Sequence, residues 1–456
     1  MRHAGNHPMG TRCAVKTSGA APARAARPAT PRQRRWLGCA AGAVLAATAC
    51  ANVDGGGGEA AAGVLPGIDC PAGTVGQLDD WGTGKRLTCS LPGGGLQGPE
   101  RRWNAAGALI YEINWIADRR HGLERAWYDD GTLQQRCPWE DGGRNGLCEL
   151  WYASGALWEQ QTWQRYDDQG KPNNGLDGPW RRWYESGQLE FERLYADHQP
   201  VGVWQTWWEN GNQQWQQTWE NGQQHGLTIQ WYEDGVKASE VPYVQGAQHG
   251  TGRGWYAGGT PAWQRSWKMN QADGLWRAWY ESGVLESEQP YQNGYLHGAT
   301  RRWYPSGDPR DLSTWVYGNR EGAWRSWFDG DGVREEGGYH DGLPDGPWQR
   351  FYPDGQKQTQ NAYDAGQLHG PLTAWYPGGQ QARAEAYAHD QLDGLLQHWF
   401  GNGQLNREET WSAGTPDGLF TTWSIDGTWL QTTCYVGGQQ KWVAASEADA
   451  TTQACE

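Results

Sequence analysis

At 456 residues the chain has room for about three ordinary domains, yet its 67 Gly, 33 Trp and 20 Tyr call for short strands and many turns instead. Its mean hydropathy of −0.86 and 37% hydrophobic content leave no apolar run of about 18 residues, which excludes a transmembrane helical bundle, and 13% aromatics argue against disorder. The formal charge of −14 deepens to −22 from Cys50 onward, because residues 1–49 hold eight Lys/Arg and no Asp/Glu; sequence-independent nucleic-acid binding and electrostatic attachment to anionic lipid are disfavoured.

Arg32, Arg34 and Arg35 precede an apolar run from Trp36 to Ala49 that ends in Ala47-Thr48-Ala49, immediately before Cys50. This is the layout of a secretory signal, too short to span a bilayer. The basic region before it is unusually long, which points to a start downstream of Met1. Two processing routes compete: Ala-Thr-Ala suits ordinary signal cleavage, while small residues before a Cys resemble a bacterial lipobox. Leu45 lies five residues before Cys50, and Ala47 stands where a lipobox usually has Leu. Of nine Cys, removing Cys13 and Cys39 with the leader and lipidating Cys50 leaves six, an even set for an oxidising compartment. The reading is therefore a signal peptide over 1–49, then a lipid-attachment Cys50 and a Gly-rich tether over 50–66. Localisation follows as exported, to the outer membrane and periplasm or the cell surface.

A fixed period overrides any domain count taken from length. Aromatic anchors fall at Trp103, Trp127, Trp151, Trp183, Trp207, Trp231, Trp255, Trp279, Trp303, Trp327, Phe351, Trp375, Trp399 and Trp423, and twelve of the thirteen steps are 24 residues. The exception is 32, its extra eight residues lying around Asp167–Asn174 and expected to form a loop insertion near 167–174. Counting each anchor as position 0, position 1 is aromatic except at Asn104 and Ser424, and position 4 is Gly except in the unit starting at Trp327, where the turn shifts to Gly330-Asp331-Gly332. Position 12 is Trp or Tyr from Trp115 to Tyr435, and position 19 is Gly from Gly122 to Gly418 in the units that keep phase.

Extended aromatic segments alternate with turns such as Glu-Asn-Gly at 209–211 and Pro-Ser-Gly at 305–307, so each unit reads as two strands and two turns. Interior Gly at positions 4, 15 and 19 argues against a helical repeat. If Cys137 and Cys148, at positions 10 and 21, are bonded across neighbouring antiparallel strands, opposed positions add to 31 and position 12 faces position 19 of the same unit. That register pairs Trp115 with Gly122, Tyr195 with Gly202, Tyr291 with Gly298 and Trp411 with Gly418, a ring covering a bare strand glycine. It also sets Arg193 against Trp204 and Arg265 against Trp276 as cation–π pairs. Side chains alternate along a strand, so positions 1, 12 and 21 share an aromatic face. The position 0 tryptophans point to the other face, among polar residues such as Gln188, Glu190 and Glu192. Two strands per unit give about 9.5 Å per repeat and a ribbon on the order of 125 Å long.

The pattern Gly-x-x-x-x-Trp-Tyr-x-x-Gly followed by Tyr-x-x-Gly-x-x-His-Gly, as in 274–283 and 291–298, resembles the variant MORN repeats of bacterial proteins and extends over nearly the whole exported chain. The resemblance implies serial β-hairpins in a long open sheet that acts as a scaffold or interaction surface; some bacterial relatives are labelled antitoxins. Paired Trp-Tyr and a 24-residue spacing depart from the eukaryotic MORN pattern, and with the charge of −22 they weigh against phosphoinositide binding.

The expected class is all-β: an elongated single-sheet array of tandem β-hairpin repeats with degenerate terminal caps. Stepping back 24 residues from Trp103 reaches Asp79, and Gly94 and Gly98 then fall at positions 15 and 19, a degenerate first repeat. This makes 67–102 the N-terminal cap, 103–433 the tandem repeats and 434–456 the C-terminal cap. Cys70 and Cys89 flank the first cap and Cys434 and Cys455 the last unit, so local disulfides are expected in both.

Five of the eleven His (His121, His225, His249, His297, His369) occupy position 18. Adjacent copies, about 9.5 Å apart by strand spacing, cannot share a zinc ion bound at about 2.0–2.1 Å. Turn chemistry is the simpler reading, because Asp273, Asp345, Asp393, Asp417, Glu321 and Asn145 fill the same slot. Asp129-Asp130 and Asp167-Asp168 lack the spacing of a calcium loop and read as turn and loop. No Gly-x-Ser-x-Gly elbow, phosphate loop or His-Glu-x-x-His occurs. No catalytic residue, cofactor or metal is expected, and the chain reads as a non-enzymatic cell-envelope scaffold. The anchor column, with Trp183, Trp207, Trp231, Trp255, Trp279 and Trp303 at its centre, is the candidate binding surface. Either its rings pack on one another or they serve a partner. Partners are a protein or an envelope polysaccharide, with no nucleic acid and the membrane met only through the lipid anchor. A polysaccharide- or peptidoglycan-binding module and an antitoxin or immunity protein are the alternatives.

Overall fold

Two kinds of turn alternate along the chain, each demanded by its residues. At positions 14 and 15 both residues take positive φ, as at Asn221 (50°) and Gly222 (75°) or Asn293 (50°) and Gly294 (88°), the tight turn whose twist suits a hairpin. At positions 1 to 5 the loop is longer: the amide of Tyr256 donates to the Thr260 carbonyl at 2.9 Å, and that of Gly259 to the Tyr256 carbonyl at 2.8 Å. In the computed structural model, which describes residues 70–166, 172–330 and 332–456, these turns connect one open antiparallel sheet of 39 strand segments within Ile68–Glu456. This is the expected hairpin array. The signal segment, Cys50 and the tether lie outside the described residues.

The register differs from expectation in one instructive way. Near the tight turn Trp139 faces Arg144, so position 12 opposes position 17 of its own unit. Deeper in the same hairpin Arg136 faces Glu149, positions 9 and 22. The two-residue change occurs at a bulge on position 18, where the amide of Asn145 donates to the Pro138 carbonyl at 3.0 Å. The following position 19 glycine is left-handed, φ 111° at Gly146, a backbone that side chains resist. Position 12 therefore does not face position 19 of its own unit. It faces the position 19 glycine of the unit before: Trp115 pairs with Gly98, Tyr195 with Gly178, Tyr291 with Gly274 and Trp411 with Gly394. The glycines assigned to those rings from the sequence pair one strand further on, as Gly122 does with Trp139.

Rings do cover glycine elsewhere. A side-chain carbon added to Gly254 meets the Trp263 ring, and one added to Gly337 meets the Trp348 ring.

Of the eight inserted residues, 167–171 lie outside the described residues, while Pro172 onward is strand, Pro172–Trp183, paired with Leu157–Tyr166. At the N-terminal end the hairpin Val75–Asp80 and Gly84–Ser90 overlaps the start of the degenerate repeat, with a disulfide between Cys70 and Cys89. At the C-terminal end the strand Gln439–Val443 is followed by a six-residue helix, Glu447–Thr452, capped by Ser446, and Cys434 is bonded to Cys455. Cys137 and Cys148 join across the deep register, their Cα atoms 4.1 Å apart. Non-reducing peptide mapping of the purified chain should return these three local pairs and no long-range pair.

Gly250 shows how narrowly position 19 is constrained, with φ at 104° and an added Cβ only 3.1 Å from Pro242. Gly250→Ala should lower protection of the 250–267 hairpin in native-state hydrogen exchange by about 1–3 kcal/mol. Gly258→Ala, with nothing within 4 Å of the added carbon, should stay within about 0.5 kcal/mol.

Candidate functional site

The register sorts the side chains onto two faces. Positions 8, 10, 12, 21 and 23 form the inner one, holding the fully buried Cys137 and Cys148 and the buried Ile113, Phe191, Trp204, Trp348 and Leu396. Its rings interlock: Trp204 lies 5.1 Å from Tyr195 and 5.0 Å from Trp219, and Trp276 lies 4.6 Å from Tyr291. The two expected cation–π pairs are present, Arg193 over Trp204 and Arg265 over Trp276, each at 5.2 Å. Several indole N–H groups on this face find acceptors, Trp115 on Glu100 (3.0 Å), Trp139 on Glu124 (2.9 Å) and Trp315 on Thr300 (3.0 Å), whereas that of Trp219 is buried without one.

Burial pushes the Glu100 carboxyl up, but hydrogen bonds and charge from Arg86 and Arg102 outweigh it and hold the group below its usual range. Tyr387 is pushed up to about 12, first by burial and then by its hydrogen bond to Glu385.

The outer face carries three parallel rows. Position 20 is apolar and open to solvent, with Leu123, Leu147, Val203, Leu227, Leu395 and Leu419 between 37% and 47% exposed. At positions 9 and 22 several units carry opposite charges that pair across strands: Glu288 meets both Arg277 (2.8 Å) and Arg301 (3.8 Å), and Glu240 meets Arg253 (3.2 Å) as well as Lys237 at position 6 (2.9 Å). The anchor tryptophans form the third row. A bulge between positions 23 and 0, as at Ala278/Trp279, turns each anchor where its strand ends.

All six candidate residues, Trp183, Trp207, Trp231, Trp255, Trp279 and Trp303, are half-buried. Among the described residues no ring contact joins two anchors, which lie two strands apart. Cations lie against some of them, Lys237 over Trp255 at 5.5 Å and Arg136 over Trp151 at 5.7 Å. No anchor indole N–H donates to an acceptor within the described residues, unlike those of Trp115, Trp139 and Trp315. Shallow clefts separate successive anchors: one of about 220 Å³ between Trp255 and Trp279, and one of about 190 Å³ between Trp303 and Trp327.

A further feature escaped the sequence reading. The position 1 tyrosine hydroxyl donates to the backbone carbonyl of the next anchor, as Tyr232 does on Trp255 (2.8 Å), Tyr256 on Trp279 (2.7 Å) and Tyr280 on Trp303 (2.8 Å). The nearly unbroken aromatic at position 1 was its signal. Position 18 behaves as turn chemistry: Glu321, Asp393 and Asp417 accept the turn amides of Asp341 (3.0 Å), Ala413 (3.2 Å) and Gly437 (3.0 Å) in the next unit. Asp129 and Asp130 accept hydrogen bonds within turns, from Asn104 (3.1 Å) and the Thr132 amide (2.8 Å), while Asp167 and Asp168 lie outside the described residues.

Five segments, 120–141, 176–197, 224–245, 272–293 and 344–364, match the family described as MORN repeat variant. This is a MORN repeat variant protein. The matched segments run from position 17 of one unit to the tight turn of the next, so the MORN module is the hairpin that sets the position 19 glycine against the position 12 ring. MORN repeats are generally non-enzymatic binding repeats that mediate protein or membrane-lipid interaction, and the chain is accordingly a repeat scaffold.

No curated protein matches the chain significantly. Among solved structures it is similar to a chain of the TcdB2-TccC3-Cdc42 complex at 11% identity, covering 81% of this chain and 23% of that one with a TM-score of 0.13. It is also similar to a chain of the Photorhabdus luminescens Tc holotoxin pore at 11% identity, with coverages of 81% and 22% and a TM-score of 0.15. The chain thus spans under a quarter of those chains, and at such scores the likeness carries no argument.

Tyr256→Phe should cost the 256–279 segment about 1 kcal/mol in hydrogen-exchange protection, the net worth of one hydrogen bond. Because the folded Glu100 carboxyl titrates below its unfolded range, its contribution is complete above about pH 4.3 and is lost as pH falls through the depressed value. Acid unfolding followed by tryptophan fluorescence should show this limb in the native chain and a weaker one in Glu100→Gln.

Proposed function

We propose that this MORN repeat variant protein is exported, lipid-anchored through Cys50, and holds a protein partner at the cell envelope on its outer face. The observation that carries the reading is the row of half-buried anchor rings whose indole N–H groups have no acceptor among the described residues. Beside it run an exposed apolar row and, in several units, ion pairs across strands. Tryptophan with an unused donor, set among apolar and ion-paired neighbours, is the composition of an interface centre. The charge of −22 favours protein over anionic lipid within the family's range of partners. The basic and apolar leader ending in small residues before Cys50 supports export and anchoring, with the membrane met through the lipid alone.

A second reading, envelope polysaccharide or peptidoglycan, draws on the clefts of about 190–220 Å³ between successive anchors, where a sugar ring can lie against an indole.

Crosslinking on intact envelopes should capture a partner with the native chain. Changing Trp207, Trp231 and Trp255 to Ala should weaken its binding at least about 30-fold, the equivalent of about 2 kcal/mol at a hot spot. A glycan ligand lost in the same variant supports the second reading, and a ligand retained at full affinity removes both. Palmitate labelling should vanish in Cys50→Ala; a label that persists overturns the anchor.

A further inference from the structure

The bulge that turns position 18 outward brings it beside position 14 of the next unit, where a type of contact arises that comparing one position 18 with the next does not reveal. In most units the neighbour is a turn amide or an unrelated side chain, as at His297, whose ring lies tilted against that of Tyr317 at 4.7 Å. One unit differs. His369 at position 18 lies 4.7 Å, ring to ring, from His389 at position 14 of the following unit, and Asp364 at position 13 joins them. Their ligand atoms all lie within 4.8 Å of one another, and all three side chains are exposed. It is the one such group of three among the described residues.

The backbone holds the two imidazoles together. The amide of Asp390 donates to the Leu368 carbonyl at 2.9 Å, and the Leu368 amide donates back to the Asp390 carboxylate at 2.7 Å. These reciprocal bonds clamp the turn carrying His389 against the strand end carrying His369. The His369 amide is fixed in turn on the Ala362 carbonyl at 3.0 Å.

We propose that Asp364, His369 and His389 form a binding site for a divalent transition-metal cation of the zinc class. Two imidazole nitrogens and a carboxylate oxygen are the donor set of zinc and its first-row neighbours, whereas calcium and magnesium take oxygen alone. Ligands at about 2.0–2.1 Å in a tetrahedron stand about 3.3 Å apart, so small rotations of exposed side chains close the present spacing. The backbone clamp leaves little else to order. Three protein ligands leave a fourth position for water or for a ligand brought by a partner.

The test is competition between the full chain and a chromophoric chelator for Zn²⁺ at neutral pH, with the same titration in Ca²⁺. The native chain should take up one Zn²⁺, and Ca²⁺ should not compete. His369→Ala should weaken binding at least about tenfold, the lower bound for losing even an outer-shell partner. His389→Asn should do the same while keeping a residue that tolerates the left-handed turn, φ 48°. His249→Ala, a position 18 imidazole outside the cluster, should leave uptake unchanged. With Cu²⁺ as probe, electron paramagnetic resonance should show two nitrogen ligands in the native chain and one in each single variant. No uptake by the native chain, or equal uptake by the double variant His369→Ala/His389→Asn, overturns the site.

Discussion

The left-handed glycine after the position 18 bulge is the constraint from which the rest of the sheet follows. A strand without it would continue one register through the whole hairpin, and every side chain beyond position 18 would meet a different partner. Register is a strict matter in β-structure because a slip of one residue exchanges the faces. Among the described residues no second sheet packs on this one, so no core elsewhere corrects such a slip. The bulge supplies the correction within each unit: it ends the short register at Trp139 and Arg144 and begins the deep one at Arg136 and Glu149. It also pushes the position 18 side chain out to the next tight turn, so that Asp393 and Asp417 accept amides belonging to the following hairpin. One backbone distortion thus couples each hairpin to its successor.

The two faces solve different problems with this register. The inner face buries aromatic surface in a single layer, which works because rings reach across strands and because their N–H groups end on carboxylates and hydroxyls close by. Glu100 illustrates the balance: nearly fully buried, it is kept ionised by two guanidinium groups while also accepting from Trp115. The outer face has no such enclosure. Its Arg–Glu pairs are partly exposed, and pairs of that kind contribute little to stability. Their consequence is instead a local one, fixed pairs of opposite charge on the outer face in the units that carry them, as at Glu240 with Arg253 and Glu288 with Arg277.

Much of this was legible in the sequence because repetition multiplies weak signals. A lone Trp-Tyr-x-x-Gly says little, whereas fourteen anchors in phase leave no room for another fold class. The cation–π partners of Arg193 and Arg265 were legible because their positions lie in the deep part of the hairpin, where the register inferred from Cys137 and Cys148 applies. The partner of the position 12 ring was not, because a bulge leaves no mark on side-chain periodicity when a glycine occupies it. Gly146 reads equally well as a residue covered by a ring and as one held at φ 111°. The closeness of His369 and His389 was hidden for a related reason: they are 20 residues apart, not 24, and the contact is visible only once the bulge has turned position 18 toward the next turn.

The contrast between the two tryptophan sets bears on what the outer face is for. A buried indole without an acceptor is costly, and the inner-face indoles of Trp115, Trp139 and Trp315 avoid that cost with acceptors inside the chain. The anchors avoid it by staying half-exposed, their N–H groups left to water. Covering them with an apolar surface would strand those donors. Covering them with a surface that offers an acceptor at each anchor would satisfy every one while burying the rings. On the proposed reading, the partner is one with acceptors repeated at the spacing of two strands, about 9.5 Å. A polyproline II segment, with three residues per turn and a rise of about 3.1 Å each, returns a carbonyl to the same side about every 9.3 Å. The tyrosine hydroxyls on the anchor carbonyls tie each anchor to the turn before it, so on the proposed reading the outer face selects its partner by period as well as by chemistry.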